Sequence, residues 1–386
     1  MTRELRVALV GLGLGGRAFH APLIAATPGL RLATLVTSNP ERRAEAARAF
    51  PSAHIAESAE WIWANSGQHD VVVITTPNRY HVPLARAAVV AGIPVVVDKP
   101  MAATSAEARD LVAEARRRNV PITAYHNRRW DGEMLTVQKI IASGELGTVT
   151  RFESRLDRWR PVRPATVWRE SGAPEDAGGL LYDLGPHLLD QARMLFGPVT
   201  QLYAELDCRR PGALVHDDVF IALKHANGVH SHLWASSVAA QPGARMRVLG
   251  TKAAYTKHSA DVQEAVLRTG GSPDSPGFGE DPEAQWGVIG AGTDVRPVRT
   301  ERGNYRRFYE LAVPWLRRSR PIEPRGLRQS RGSRATLRCE AQLPERPRCV
   351  SCTRLSCRAR AFARRVARRR SSPTGASARR SRVSVR

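Results

Sequence analysis

Short apolar runs recur through the first third of the chain. The first, Leu5–Val10, reads LRVALV, and others follow near Leu30–Thr37, Val71–Thr75, Pro94–Asp98 and Pro121–Tyr125. Their apolar, β-branched character is that of strands buried on both faces of a parallel sheet. Helical segments near Pro83–Ala91 and Ser105–Arg118 separate the later runs, and repeated βα units predict a doubly wound α/β sheet. The second half predicts strands near Val149–Arg158, Val199–Asp207, Val219–His225, Val229–Ser236 and Met246–Tyr255. Asn227-Gly228 lies between two of them and is a strong hairpin signal, so this sheet is expected to be antiparallel.

A chain of 386 residues is expected to form two domains. No uninterrupted apolar run approaches the ~18 residues of a membrane span, so no membrane association is expected. The opening MTRELRVALVGLG reads as a strand entering a turn rather than a secretory signal, and the expected location is cytoplasmic. Charge divides the chain more sharply than hydropathy does. Of the net +23, residues 325–386 carry +17, from 19 arginines against Glu340 and Glu345, which leaves a mildly basic body. The same 62 residues hold only nine Leu, Ile, Val or Phe, too few to drive folding of so charged a segment, and disorder is expected. With 54 Arg against five Lys in the chain, an out-of-frame reading of GC-rich DNA accounts for the tail's Arg, Ala, Ser, Pro and Gly. Cys339, Cys349, Cys352 and Cys357 match no familiar zinc spacing, so no metal is expected. One aromatic residue, Phe362, and no recognisable module argue against specific nucleic-acid recognition by the arginines.

The first strand ends in Gly11-Leu-Gly13-Leu-Gly15-Gly16. Glycines there permit a tight turn and close backbone approach, and a helix opening near Gly15 points free N–H groups at a pyrophosphate. No carboxylate ends the second strand. Thr37-Ser38-Asn39-Pro-Glu-Arg42-Arg43 stands there instead, so Ser38 with Arg42 or Arg43 favours the 2′-phosphate of NADP over NAD. The alternative is an Asn-Pro helix start with solvated arginines. Two further strand ends carry Thr76-Pro77-Asn78-Arg-Tyr-His81 and Asp98-Lys99-Pro100, where open α/β sheets bind ligands. Farther along, Asp183 and His187 stand four apart and share a face if a helix has begun.

These motifs together resemble the Gfo/Idh/MocA family. The resemblance covers residues 1 to about 324 and rests on GLGLGG with His20-Ala-Pro22, TPNRYH, Asp98-Lys99-Pro100 and GGLLYDLGPHLLD. FHAPLI and HNRRWD are similar to a bacterial subgroup that includes NADP-dependent scyllo-inositol dehydrogenases. The resemblance implies an NAD(P)-binding Rossmann domain over 1–125 and a substrate and oligomerisation domain over 126–324 with a large open, mainly antiparallel sheet. Residues 325–386 fall outside it. It also implies a homodimer or homotetramer and hydride transfer between NADP and a secondary alcohol of a cyclitol or sugar. In the implied roles His187 takes the proton, Asp183 supports the site and Lys99 stabilises the developing alkoxide. Gly11, Gly13, Gly16, Ser38, Arg42, Thr76, Pro77, Asn78, His81 and Lys99 are the cofactor candidates. Tyr125, Asn127, Arg129, Trp130 and Arg158 are candidates for a small polyhydroxylated substrate, with packing and salt bridges as the alternative. A non-catalytic NADP-sensing regulator is the other functional reading.

Overall fold

The computed structural model describes residues 3–164, 167–318 and 383–385. Its first sheet has six strands, β1 (Leu5–Val10), β2 (Leu30–Val36), β3 (His54–Ala56), β4 (Val71–Ile74), β5 (Val95–Asp98) and β6 (Ile122–Tyr125). They are all parallel in the order β3-β2-β1-β4-β5-β6. The helices between them are α1 (Ala21–Ala25), α2 (Pro40–Ala49), α3 (Glu60–Ala64), α4 (His81–Val90) and α5 (Ser105–Arg117). Val7, Leu9 and Val73 face one core, and Ala8, Val72, Ile74 and Val97 face another on the opposite side of the sheet. Burial on both faces is why these runs are continuously apolar. Between β1 and β4 the strand order reverses, and a crevice opens at their carboxyl ends.

The second half begins with α6 (Gly132–Ser143) and β7 (Val149–Asp157), followed by α7 (Leu180–Asp183) and α8 (Gly185–Phe196). Seven more strands follow in the chain, β8 (Val199–Asp207), β9 (Asp218–His225), β10 (His230–Ser236), β11 (Met246–Gly250), β12 (Ala254–Lys257), β13 (Gly287–Ala291) and β14 (Asp294–Val298). Short helix α9 (Gln263–Arg268) precedes β13, and α10 (Arg307–Arg318) follows β14. The sheet order is β14-β13-β12-β11-β7-β10-β9-β8, antiparallel except for the β7–β10 pair. Gly228, at φ +88°, makes the β9–β10 hairpin that Asn227-Gly228 predicts. The single strand expected over Met246–Tyr255 is instead two. A turn at residues 251–253, closed by Gly250 N–H to Ala253 O at 3.0 Å, folds β12 back on β11. Helices α6 and α8 cover one face through Val137, Ile140, Leu188, Ala192 and Phe196. On the face without helices, Tyr203, Phe220, His232 and Trp234 form a half-buried aromatic band, with Arg155 3.8 Å above the Trp234 ring.

The division at residue 126 does not capture one feature. Helix α10 packs into the first half's core through Phe308, Tyr309, Ala312, Val313 and Leu316, beside Leu23, Ile24 and Tyr125. Their three- and four-residue spacing makes one apolar stripe, and a large side chain so buried, such as Phe308, Val313 or Leu316, contributes about 1.5–3 kcal/mol. Leu267 of α9 and Phe278 join the same cluster. The expectation of disorder and the zinc and nucleic-acid readings fall almost wholly on residues outside those described. The exception is β15 (Val383–Val385), which pairs antiparallel with the edge strand β8. That departs from the expectation of disorder, and the unpaired backbone groups of an open sheet edge account for such a pairing. Among the described residues no helix is long and apolar enough to cross a membrane.

Candidate active site

The crevice is a cleft of about 610 Å³ lined by the loops after β1, β2, β4 and β5 and by residues 168–183 of the second half. Each glycine of the first loop has a different job. Gly11 sits at φ +99°, and a Cβ there would lie 3.0 Å from the backbone of Thr75 and Thr76, so only glycine lets β1 end against β4. A Cβ on Gly16 would come 2.0 Å from Gly11 O, which fixes the return of the loop. A Cβ on Gly13 would meet nothing within 4 Å, and Gly13 lines the open cleft. A helical segment runs from Gly15 to His20 and continues as α1, presenting free N–H groups beside that space. The loop therefore fits the pyrophosphate of a dinucleotide.

At the other end of the cleft stand Ser38 and Arg42, both exposed. Asn39 caps α2 by accepting from Arg42 N–H at 2.8 Å, so the Asn-Pro helix start and the candidate phosphate site coexist. Arg43 is paired with Glu57, whereas Arg42 makes no ion pair among the described residues. Thr76, Pro77, Asn78 and His81 also line the cleft. Asn78 spends its amide on Asp176 O and Ala177 O, at 3.1 and 3.3 Å. His81 places its two ring nitrogens 2.8 Å from the carbonyl oxygens of Pro100 and Thr76. These two polar groups brace the cleft wall.

Lys99 directly follows β5, and its bond to Pro100 is cis. Its ammonium donates to the Asp183 backbone oxygen and, at 3.1 Å, to Asp183 Oδ1. Arg169 Nε reaches the same Oδ1 at 3.3 Å. Burial pushes the Asp183 carboxyl up, but Lys99, Arg169 and Arg158 outweigh it and hold the group below its ordinary range. His187 is buried and does not itself line the cleft, and its Nδ1 lacks a hydrogen-bond partner among the described residues. Burial, reinforced by the Lys99 charge, pulls its imidazole well below the ordinary value, so it is neutral at pH 7. The single helix that would place Asp183 and His187 on one face is not formed. Asp183 ends α7 and His187 lies in the first turn of α8, with Leu184 between the helices.

The proposed substrate residues divide differently. Tyr125 is buried, donates to Phe19 O at 3.0 Å and packs on His20 and Phe308. Trp130 packs edge-on against Phe308, and Asn127 is buried. Arg129 is held by Asp190 at 2.7 Å. None of the four lines the cleft, because the returning α10 takes up the aromatic rings and Asp190 takes up the guanidinium. Arg158 also lies off the cleft lining, but its charge acts on Asp183. Sequence reasoning missed Trp168, Arg169 and Tyr182, all of which line the cleft. The Arg169 guanidinium stacks 4.3 Å over the Trp168 ring. A Trp-Arg pair shortly before Gly178-Gly179 was the available signal.

Comparison with known proteins agrees with this geometry. Residues 5–126 match the model of the oxidoreductase family with an NAD-binding Rossmann fold, and residues 134–256 match the GFO/IDH/MocA C-terminal domain. The chain belongs to the Gfo/Idh/MocA oxidoreductase family. It is 41% identical over 271 residues to the uncharacterized oxidoreductase YdgJ of Escherichia coli, covering 70% of this chain and 76% of YdgJ. To scyllo-inositol 2-dehydrogenase (NADP(+)) IolW of Bacillus subtilis it is 31% identical over 317 residues, 81% of this chain and 86% of IolW. A solved oxidoreductase structure, YvaA from Bacillus subtilis, superposes with a TM-score of 0.76 at 30% identity, covering 83% of this chain and 90% of that one. Gfo/Idh/MocA oxidoreductases bind NAD(P) through the Rossmann domain.

Two alanine variants separate binding from folding at the loop. Gly13→Ala adds a methyl to open cleft and should weaken dinucleotide binding about tenfold or more while leaving the melting temperature unchanged. Gly16→Ala drives a methyl into Gly11 O and should cost about 1–3 kcal/mol of stability. Fluorescence titration with NADPH and chemical unfolding of both variants check this; equal thermal and binding effects would contradict it.

Proposed function

We propose that the protein is an NADP(H)-dependent oxidoreductase that moves a hydride between the nicotinamide and a secondary alcohol or ketone of a cyclitol or sugar, with scyllo-inositol to scyllo-inosose as the leading reaction. The observation that carries this reading is Lys99 held by Asp183 on the lining of a dinucleotide cleft, with a neutral, buried His187 that feels the Lys99 charge. The likeness to an NADP-dependent scyllo-inositol 2-dehydrogenase supports the substrate class.

When bound, the nicotinamide accepts or returns the hydride, and the protein's residues manage the proton and the charge. His187, uncharged at neutral pH, is free to accept the hydroxyl proton. Lys99 places an ammonium where alkoxide charge develops, and Asp183, kept ionised, holds that ammonium in place. Burial keeps the imidazole neutral, whereas Lys99, Arg169 and Arg158 keep the carboxylate ionised, which separates base from orienting group. Ser38 and Arg42 would hold the 2′-phosphate of NADP. Glu57, on the same rim, is neutralised by Arg43 and does not compete for that position. The aromatic band on the helix-free face of the second sheet is the surface we assign to subunit contact.

The cofactor assignment predicts tighter binding of NADP(H) than of NAD(H). Arg42→Ala should raise the NADPH dissociation constant about tenfold or more and leave that for NADH unchanged. Equal affinities in the wild type would remove the 2′-phosphate reading. Turnover of scyllo-inositol and a panel of other cyclitols and sugars tests the chemistry. Lys99→Ala and His187→Ala should each lose about 10²–10⁴-fold in kcat while still binding NADPH. Because His187 titrates below its ordinary value, the acid limb of the wild-type kcat profile should fall below pH 6.5, as protonation removes the base. Near-normal kcat in both variants would place the chemistry on other residues, and NADPH binding by a wild type that turns over nothing in the panel would favour the NADP-sensing regulator. Sedimentation equilibrium should give a dimer or tetramer, and Trp234→Glu should shift it to monomer; a monomeric wild type would refute the contact surface.

A further inference from the structure

The Phe19-His20-Ala21-Pro22 segment has no part in the chemistry above, yet it places a fully buried imidazole beside the cleft. His20 Nδ1 lies 2.6 Å from Tyr309 Oη on α10, a residue 289 positions later in the chain. Its ring stacks obliquely on Tyr125 with centroids 4.1 Å apart. Its other nitrogen, Nε2, has no hydrogen-bond partner among the described residues and faces Asp98 Oδ2 at 3.9 Å. Asp98 lines the cleft, and its Oδ1 accepts the backbone N–H of Lys99 at 2.8 Å. Lys99 in turn reaches Asp183.

These contacts form one line from the last helix to the reacting end of the cleft. If the Tyr309 hydroxyl donates to Nδ1, the ring proton of a neutral His20 sits on Nε2, toward the carboxylate. Asp98 then accepts the Lys99 amide on Oδ1 and has the imidazole facing Oδ2 at 3.9 Å, an electrostatic contact too long for a hydrogen bond, and it cannot turn without releasing the backbone from which the Lys99 side chain springs. Burial pushes the Asp98 carboxyl up, but His20, followed by Lys99 and His81, overcomes this and brings it down to about 2, so the carboxylate stays charged at neutral pH.

We propose that His20 and Tyr309 are positioning residues that fix Lys99 through the Asp98 carboxylate, and that they thereby couple the seating of α10 on the first domain to hydride transfer. The proposal rests on the reading of Lys99 given above. A buried His-Tyr pair that served packing alone would stabilise the fold without acting on Lys99, and that difference is measurable.

Tyr309→Phe keeps the ring and removes only the hydroxyl; His20→Asn removes the imidazole. In both variants the Lys99 amide, followed by hydrogen exchange in the full chain, should exchange about tenfold faster than in the wild type. With NADP⁺ and scyllo-inositol, kcat should fall about tenfold while KM and the NADPH dissociation constant stay within about twofold. The double variant should be no worse than His20→Asn alone, because both changes break the same line. Unchanged Lys99 exchange in Tyr309→Phe overturns the proposal, as do losses that multiply in the double variant or that track the melting temperature. Lys99→Ala separates this failure from failure of the functional reading. If Lys99→Ala turns over normally, that reading falls and the proposal falls with it. If Lys99→Ala is inactive while Tyr309→Phe is normal in both exchange and kcat, only the proposal falls. Should the wild type not turn over scyllo-inositol, Lys99 exchange in Tyr309→Phe decides alone.

Discussion

The contact between Lys99 and Asp183 is the constraint on which the rest of the site depends. It joins the end of a parallel strand in the first domain to the end of a short helix in the second, across 84 positions of sequence. Two partly buried charges in this position are costly to desolvate, and they persist because each has further partners. Lys99 also donates to a backbone oxygen, and Asp183 also receives Arg169. Close by, Asn78 and Arg79 reach across to Asp176 and Ala177, so the two domains meet along one wall of the cleft at several polar points. The wall that shapes the dinucleotide space is thus also the wall that carries the groups we propose to act in the reaction.

The chain reinforces this junction by returning to the first domain at its last described helix. Helix α10 follows the second sheet but buries its apolar stripe among Leu23, Ile24 and Tyr125. Its Tyr309 touches His20, a few residues beyond the glycine loop, and His20 faces the residue that precedes Lys99. Packing and site geometry are therefore linked through a small number of side chains.

Much of the first domain was legible because its physics is local. Buried parallel strands are short apolar runs, Gly11 is required by the backbone of Thr75 and Thr76 and Gly16 by that of Gly11, and the absence of an acid after β2 is a matter of composition at one turn. The second domain was legible where a turn residue announced itself, as at Gly228, and failed where the apolar run from Met246 to Tyr255 continued through a turn. Lys99, Asp183 and His187 were picked out by residue type and by family likeness, but the break between α7 and α8 was not visible in their spacing. Tyr125 and Trp130 looked like substrate residues because their true partner, Phe308, lies about 180 positions away. Trp168 and Arg169 sit in an irregular loop, where no periodicity marks which side chain turns inward.

The account as a whole rests on one placement: a dinucleotide in the crevice between β1 and β4, with its reactive ring at Lys99. A crystal structure of the protein with NADPH tests this most directly. The account predicts the pyrophosphate against Gly13, the 2′-phosphate against Ser38 and Arg42, and the nicotinamide beside Lys99 and within reach of His187. A cofactor bound elsewhere, or one whose nicotinamide points away from Lys99 and Asp183, would contradict it.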